Sequence, residues 1–174
     1  MHPTVHRVLL ATLFCSVTAF GQTINASKDK EAVAILELAG ASSSSLTGGG
    51  SSFGPGVAVE VTPIENWLEL EMGVTSFFRR HHSAEWNTDL LFKKPWDLSK
   101  QFEFMAGLGP EWVYSKEPGA KRNSIAGEAV LDLMYWPRPK RRFGAFIEPS
   151  CDYNFARGHE KSFGITAGLL IAIR

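Results

Sequence analysis

Cysteine is scarce in this chain of 174 residues, and its scarcity excludes a fold held together by disulfides. The chain has two cysteines, and Cys15 lies in an apolar N-terminal run that we expect to be removed. The remaining thiol, Cys151, then has no intramolecular partner, even in an oxidising compartment. Stability must therefore come from buried side chains and backbone hydrogen bonds.

The chain also lacks an excess of charge of either sign and the motifs of common cofactor sites. Lysine and arginine together number 18, as do aspartate and glutamate, so the basic surface of a nucleic-acid-binding protein is missing. Cysteine pairs with zinc-site spacing are absent, and Gly48-Gly49-Gly50 is followed by serines instead of the lysine of a phosphate-binding loop. We therefore expect no nucleic-acid partner, no cofactor and no bound metal.

A long apolar run occupies residues 8–20, and its surroundings are those of a signal peptide. Basic residues precede the run and small residues, including Gly21, follow it. The run is too short to cross a bilayer as a helix. We expect cleavage after Gly21, and the prediction divides the chain into a signal peptide (1–21), an N-terminal polar segment (22–32) and one domain (33–174).

Sustained helical spacing is absent beyond the signal peptide, whereas apolar and polar residues alternate in eight segments. In the stretch NWLELEMGVTSFF, for example, Leu68 and Leu70 alternate with Glu69 and Glu71. The pattern predicts an all-β chain with strands at residues 33–41, 56–63, 66–78, 83–93, 100–114, 124–136, 142–155 and 162–173.

The connections between these strands are of two alternating kinds. The second, fourth and sixth contain proline, which ends a β-ladder and starts a turn. The others are more polar, and the first, residues 41–52, is rich in glycine and serine. We expect residues 41–52 to form a mobile loop able to bind a surface partner. An even number of up-and-down strands with this alternation is typical of a closed antiparallel barrel.

The two faces of the predicted strands differ sharply in chemistry. One face carries the acids Glu37, Glu60, Glu69, Glu71, Glu85, Asp89, Glu103, Glu111, Glu128, Asp132, Glu148 and Asp152. The same face carries few bases, among them Lys93, and several glycines that leave room for bulky charged groups in a narrow interior. We expect an inward polar network at Glu69, Glu71, Glu103, Glu128, Asp132 and Glu148.

The other face is aliphatic in its middle and aromatic at both ends. Rings concentrated at the ends of an aliphatic band are typical of the interfacial girdles of a protein that spans a bilayer, so we expect this face to point outward into lipid. The predicted girdle residues are Phe78, Trp86, Phe92, Phe102, Trp112, Tyr114, Tyr135, Phe143, Phe155 and Phe163. The opposite polarity, with this face inward, would describe a secreted lipocalin-like carrier of a small ligand.

In its signal peptide, strand number, loop asymmetry and girdles the chain resembles the small eight-stranded outer-membrane β-barrels of Gram-negative bacteria, of the OmpA and OmpX type. The resemblance implies an all-β, eight-stranded up-and-down antiparallel transmembrane β-barrel that is monomeric and contacts outer-membrane lipid. It also implies recognition by the barrel-assembly machinery through the last strand, SFGITAGLLIAIR.

The sequence leaves three roles open for such a barrel. A structural or surface-interaction role requires no further motif. A narrow cation path or metal site would use the acids Glu69, Glu71, Glu103, Glu128 and Asp132. A lipid A-modifying enzyme would use His81, His82 and Ser83, because a base beside a hydroxyl suits acyl transfer. We expect the first role, and no enzymatic activity.

Overall fold

The structure is a computed structural model that describes residues 33–47, 50–78, 84–115, 123–137, 142–156 and 159–173. These residues form the strands β1 (Ala34–Ser45), β2 (Ser51–Ile64), β3 (Leu68–Phe77), β4 (Glu85–Asp97), β5 (Phe102–Ser115), β6 (Asn123–Tyr135), β7 (Phe143–Asn154) and β8 (Lys161–Ile173). Among the described residues, no helix is long and apolar enough to cross a membrane. The predicted signal peptide and the polar segment 22–32 lie outside the described residues.

The eight strands close into a barrel in which each strand pairs antiparallel with its sequence neighbours. Closure is made by β1 and β8, whose register runs from Ala34 opposite Ile173 to Ser45 opposite Ser162. Every strand therefore has a partner on both sides, and no edge is left with unpaired backbone groups. The prediction of an all-β, eight-stranded up-and-down antiparallel barrel is confirmed.

The predicted loop at residues 41–52 is wrong in its bounds, because β1 and β2 extend through most of it. Ser42 lies opposite Phe53 and Ser44 opposite Ser51, and the hydroxyls of Ser44 and Ser51 are 3.0 Å apart. Serine and glycine have low strand propensity, but the ladder to β8 supplies hydrogen bonds that override it. The connection between the two strands is thereby reduced to residues 46–50.

The fourth strand also runs further than predicted, through Pro95 to Asp97. Proline lacks one backbone donor, which a strand tolerates near its end, and pairing with β5 continues to Asp97 opposite Glu103. The extension turns Trp96 outward, where its ring lies 5.7 Å from that of Phe104.

The alternating connections lie on opposite rims of the barrel. We call turn rim the end with residues 65–67, 98–101, 136–137 and 142, together with the start of β1 and the end of β8. Asn66 adopts a positive φ of 58° in the first of these turns, a conformation that asparagine tolerates better than most residues. The loop rim carries the ends of β1, β3, β5 and β7 and the starts of β2, β4, β6 and β8.

Two glycines on the inward face make room for charged side chains, as predicted. A Cβ atom added to Gly73 would lie 2.7 Å from the carboxylate of Asp89. One added to Gly107 would lie 2.7 Å from Cγ of Lys93 and 3.1 Å from Val130. The interior of an eight-stranded barrel is just wide enough for side chains. A larger residue at either glycine would therefore collide with the charged side chain beside it.

We expect Gly107→Ala to destabilise the barrel by about 1–3 kcal/mol, because the added methyl group overpacks the interior beside Lys93. Gly40→Ala is the matched control, since a Cβ atom at Gly40 has no atom within 4 Å. Urea unfolding in detergent micelles measures the free energy of unfolding of each variant. Equal effects of the two substitutions would contradict this account of Gly107.

Candidate functional site

The outer surface of the barrel is apolar over most of its height. Leu108 is 68% exposed and Leu169 is 61% exposed, although both are aliphatic and lie in the middle of their strands. Exposed apolar surface of this extent marks a region that contacts something other than water.

All ten predicted girdle residues lie on this outer surface. Nine are exposed and Tyr114 is half-buried, and the rings of Phe102 and Tyr135 pack with centroids 4.9 Å apart at the turn rim. The structure adds outward aromatic residues that the sequence analysis did not include, at Phe53 and Trp96. Both fell outside the predicted strands, so no face was assigned to them.

The interior centres on the ammonium group of Lys93, which is fully buried. Its Nζ donates to Oε2 of Glu148 at 2.5 Å and to Oδ2 of Asp132 at 3.3 Å, and it forms an ion pair with Glu71. The lysine lies on β4 and its partners on β3, β6 and β7. The cluster therefore connects strands on different sides of the bore, which backbone pairing alone does not connect.

Acids greatly outnumber bases in this interior. Among the described residues, the buried charged side chains are Lys93 and the seven acids Glu37, Glu60, Glu69, Glu71, Glu111, Asp132 and Glu148. Glu60 lies directly opposite Glu71 in the β2–β3 register, and Glu128 lies opposite Asp152 in the β6–β7 register. Like charges directly opposite each other are destabilising. With one lysine for seven buried acids, this interior is short of positive charge.

Three of the buried acids approach one another closely. Glu37, Glu60 and Asp132 each direct a carboxylate oxygen to a common region in which these oxygens lie within 4.8 Å of one another. Both oxygens of Glu60, Oε1 of Glu37 and Oδ1 of Asp132 are buried without a hydrogen-bond partner. We call these three residues the acid triad.

A cavity of about 100 Å³ extends from the cluster toward the loop rim. This volume has room for several water molecules. Acids and serines line it, including Glu37 and Glu148 at its inner end and Ser45 and Glu160 near the loop rim.

An apolar cluster fills the interior on the turn-rim side, and the sequence analysis did not predict it. It consists of the buried residues Met105, Met134, Trp136, Phe146, Leu170 and Ala172. On β6, Met134 lies two positions closer to the turn rim than Asp132, and on β7 Phe146 has the same relation to Glu148. The polar cavity therefore does not continue through this part of the barrel.

The six predicted network acids fall into separate groups in the structure. Glu71, Asp132 and Glu148 meet at Lys93, and Glu69 accepts a hydrogen bond from Thr62 at 3.4 Å. Glu128 lines the cavity toward the loop rim, and Glu103 lies near the start of β5 at the turn rim. His81, His82 and Ser83 lie outside the described residues.

The sequence analysis placed Glu37 and Glu60 on the inward face but did not include them in the network. Strand tilt brings Glu60 of β2 close to Asp132 of β6 across the bore. The alternation of residues within one strand does not predict which side chains of distant strands meet across the bore.

Comparison with solved structures identifies the fold. The crystal structure of Neisserial surface protein A matches 80% of this chain and 96% of its own, with a TM-score of 0.60 and 14% identity. The N-terminal β-barrel domain of Pseudomonas aeruginosa OprF matches 82% of this chain and 100% of its own, with a TM-score of 0.56 and 10% identity.

A third structure, Ail, the attachment invasion locus protein of Yersinia pestis, matches 82% of this chain and 99% of its own, with a TM-score of 0.54 and 13% identity. These neighbours are small eight-stranded outer-membrane β-barrels, and this chain has their fold. No protein-family model and no curated protein sequence matches the chain.

We expect Lys93→Met to destabilise the barrel by about 3–5 kcal/mol at neutral pH, because it leaves three buried carboxylates without their shared cation. The loss should shrink at acid pH, where protonation neutralises the carboxylates. Urea unfolding of the protein in micelles at both pH values tests this.

The neighbouring lysine provides the control for this prediction. Lys94 donates to the backbone oxygen of Asn66 at an exposed site on the turn rim, at 2.5 Å, so Lys94→Met should cost less than about 1 kcal/mol at either pH. A cost for Lys93→Met that does not depend on pH would point to lost packing instead of unpaired charge.

Proposed function

We propose that this chain is an outer-membrane β-barrel protein of Gram-negative bacteria with a structural or surface-interaction role, and that it is not an enzyme. One observation carries the proposal: the closed barrel buries seven acids and Lys93 in its bore and exposes a large number of apolar side chains on its outer face. A protein surrounded by water has the opposite arrangement, whereas a barrel surrounded by acyl chains requires this one.

The same observation weighs against the secreted carrier. A lipocalin-like protein needs an apolar interior that holds a ligand. Here the cavity is lined by Glu37, Glu148 and other acids, and the buried apolar residues near the turn rim are packed together in a cluster. The cavity of about 100 Å³ is also smaller than the pockets of about 300–1,000 Å³ that hold small ligands.

Further support comes from the N-terminal sequence and from the neighbouring folds. A signal peptide at 1–21 would direct export, and two of the neighbours are named a surface protein and an attachment invasion locus protein. By analogy we assign the turn rim to the periplasm and the loop rim to the outside. Closure of the sheet leaves no edge for strand exchange, which favours a monomer that the barrel-assembly machinery inserts.

The enzymatic alternative has little support among the described residues. The one histidine that they include, His159, is bonded through Nδ1 to the hydroxyl of Tyr153 at 2.8 Å and stacks on its ring. This contact involves no serine nucleophile.

We expect the protein to fractionate with the outer membrane and to require detergent for extraction. A sharper test attaches a fluorophore to a cysteine introduced at Leu108 or at Thr166, in a Cys151→Ala background. Leu108 points outward and Thr166 lines the cavity, so brominated lipids should quench the first probe strongly and the second weakly. Extraction without detergent, or equal quenching of the two probes, would contradict the proposal.

A narrow cation path is the second candidate role, which the acid-lined cavity favours. The apolar cluster around Met134 and Trp136 opposes it, because an ion crossing that region would lose its hydration without gaining ligands.

We therefore expect no steady current from the purified protein in planar lipid bilayers. Trp136→Ala, which removes the largest ring of the apolar cluster, should raise the current if the cluster is the barrier. A steady cation-selective current from the unmodified protein would instead favour the path.

A further inference from the structure

We propose that the acid triad of Glu37, Glu60 and Asp132 binds one divalent cation, Ca²⁺, at the inner end of the cavity. This site goes beyond the proposed function, because neither a structural nor a surface-interaction role requires it.

The unpaired oxygens of the triad are the first argument. Glu60 is 1% exposed and Asp132 is not exposed at all, yet both oxygens of Glu60 and Oδ1 of Asp132 have no hydrogen-bond partner. Buried carboxylate oxygens normally accept hydrogen bonds or coordinate a metal ion. Oε1 of Glu37 is also unpaired, and one carboxylate oxygen from each of the three residues lies within 4.8 Å of the other two, which forms a preformed set of ligands.

The lysine does not satisfy this set. Lys93 bonds Oδ2 of Asp132 and leaves Oδ1 without a hydrogen-bond partner. Its other partners are Glu71 and Glu148, outside the triad. Asp132 therefore stands between two charge-compensating positions, of which Lys93 occupies one and a cation would occupy the other.

The chemistry of the ligands selects the kind of ion. Carboxylate oxygen alone suits hard cations, and it disfavours zinc and copper, which prefer nitrogen or sulfur. Ca²⁺ accepts flexible geometry with oxygen ligands at about 2.3–2.6 Å, so three oxygens that lie within 4.8 Å of one another can share one such ion. Mg²⁺ demands bonds of about 2.0–2.1 Å in strict octahedral geometry and should therefore bind more weakly.

The cavity gives the ion a way in. Glu37 belongs both to the triad and to the cavity lining, and the acids Asp89, Glu128 and Asp152 line the cavity further toward the loop rim. A cleft lined by one sign of charge raises the local concentration of the opposite ion. The apolar cluster near the turn rim offers an ion no ligands.

Calcium binding to the purified protein in detergent, after removal of metal with a chelator, tests the proposal. We expect one Ca²⁺ per chain in equilibrium dialysis with radioactive calcium, and a higher urea midpoint when CaCl₂ is added. Glu60→Gln and Glu37→Gln each keep the side-chain volume and remove a charge, and each should weaken Ca²⁺ binding by at least about tenfold. The second variant decides the test if the first fails to fold.

Glu111→Gln is the matched control. Glu111 is a buried acid of the same cavity that bonds Asn87 and lies outside the triad, so its replacement should leave Ca²⁺ affinity unchanged. MgCl₂ at the same concentration should compete only weakly with Ca²⁺.

Several outcomes would overturn the site. These are the absence of Ca²⁺ binding, binding that both triad variants retain, and binding that Glu111→Gln weakens equally. Stabilisation by acid pH without any effect of CaCl₂ would show that protons, and not a metal ion, neutralise the triad. A protein that fractionates with the outer membrane but binds no Ca²⁺ would overturn this inference and leave the proposed function intact.

Discussion

The arrangement of the interior depends on the ion pairs that the buried ammonium group of Lys93 forms with carboxylates. This group contacts carboxylates from three strands, Glu71, Asp132 and Glu148, and so joins walls of the barrel that share no backbone hydrogen bonds. A buried ion cluster of this kind is costly when it is incomplete, because each unpaired charge has lost its hydration. Gly107 permits it, since any larger residue would occupy the space of the lysine stem. The position of one glycine and one lysine thus organises acids that are far apart in the sequence.

The polarity of the barrel wall is enforced by strand register. Because side chains alternate with a period of two, a slip of one residue in any strand would move its charges outward and its aliphatic groups into the bore. Leu131 and Asp132 illustrate the constraint, as the first is half exposed on the outside and the second is fully buried. Closure between β1 and β8 then fixes the register of the whole ring, since no strand can shift without disrupting pairs on both sides. Folding of this chain therefore requires agreement between the pattern within strands and the pairing between them.

Alternation within strands was sufficient to predict the strand number, the closed barrel and the face on which each acid lies. The prediction of strand bounds failed where residues of low strand propensity lie within a strand. The serines of β1 were predicted to be a loop, and β4 was predicted to end before Pro95. The contacts of the site were less accessible, because strand tilt and the diameter of the bore decide which inward residues meet. Lys93 was identifiable as one of few inward bases, but its choice of partners was not. The apolar cluster around Met134 was missed because an inward position had been equated with a polar one.

Charge balance explains why the acid triad has consequences for the whole interior. Two unit charges about 5 Å apart repel by about 3 kcal/mol at an effective dielectric constant of about 20, and the triad contains three such pairs within 4.8 Å. Their sum, on the order of 10 kcal/mol, is comparable to the total stability of an ordinary domain. Lys93 offsets part of this through Asp132, but it also faces Glu71 and Glu148. The repulsion falls when a proton or a cation neutralises one of the acids, and the acid-lined cavity is a route by which either could reach Glu37.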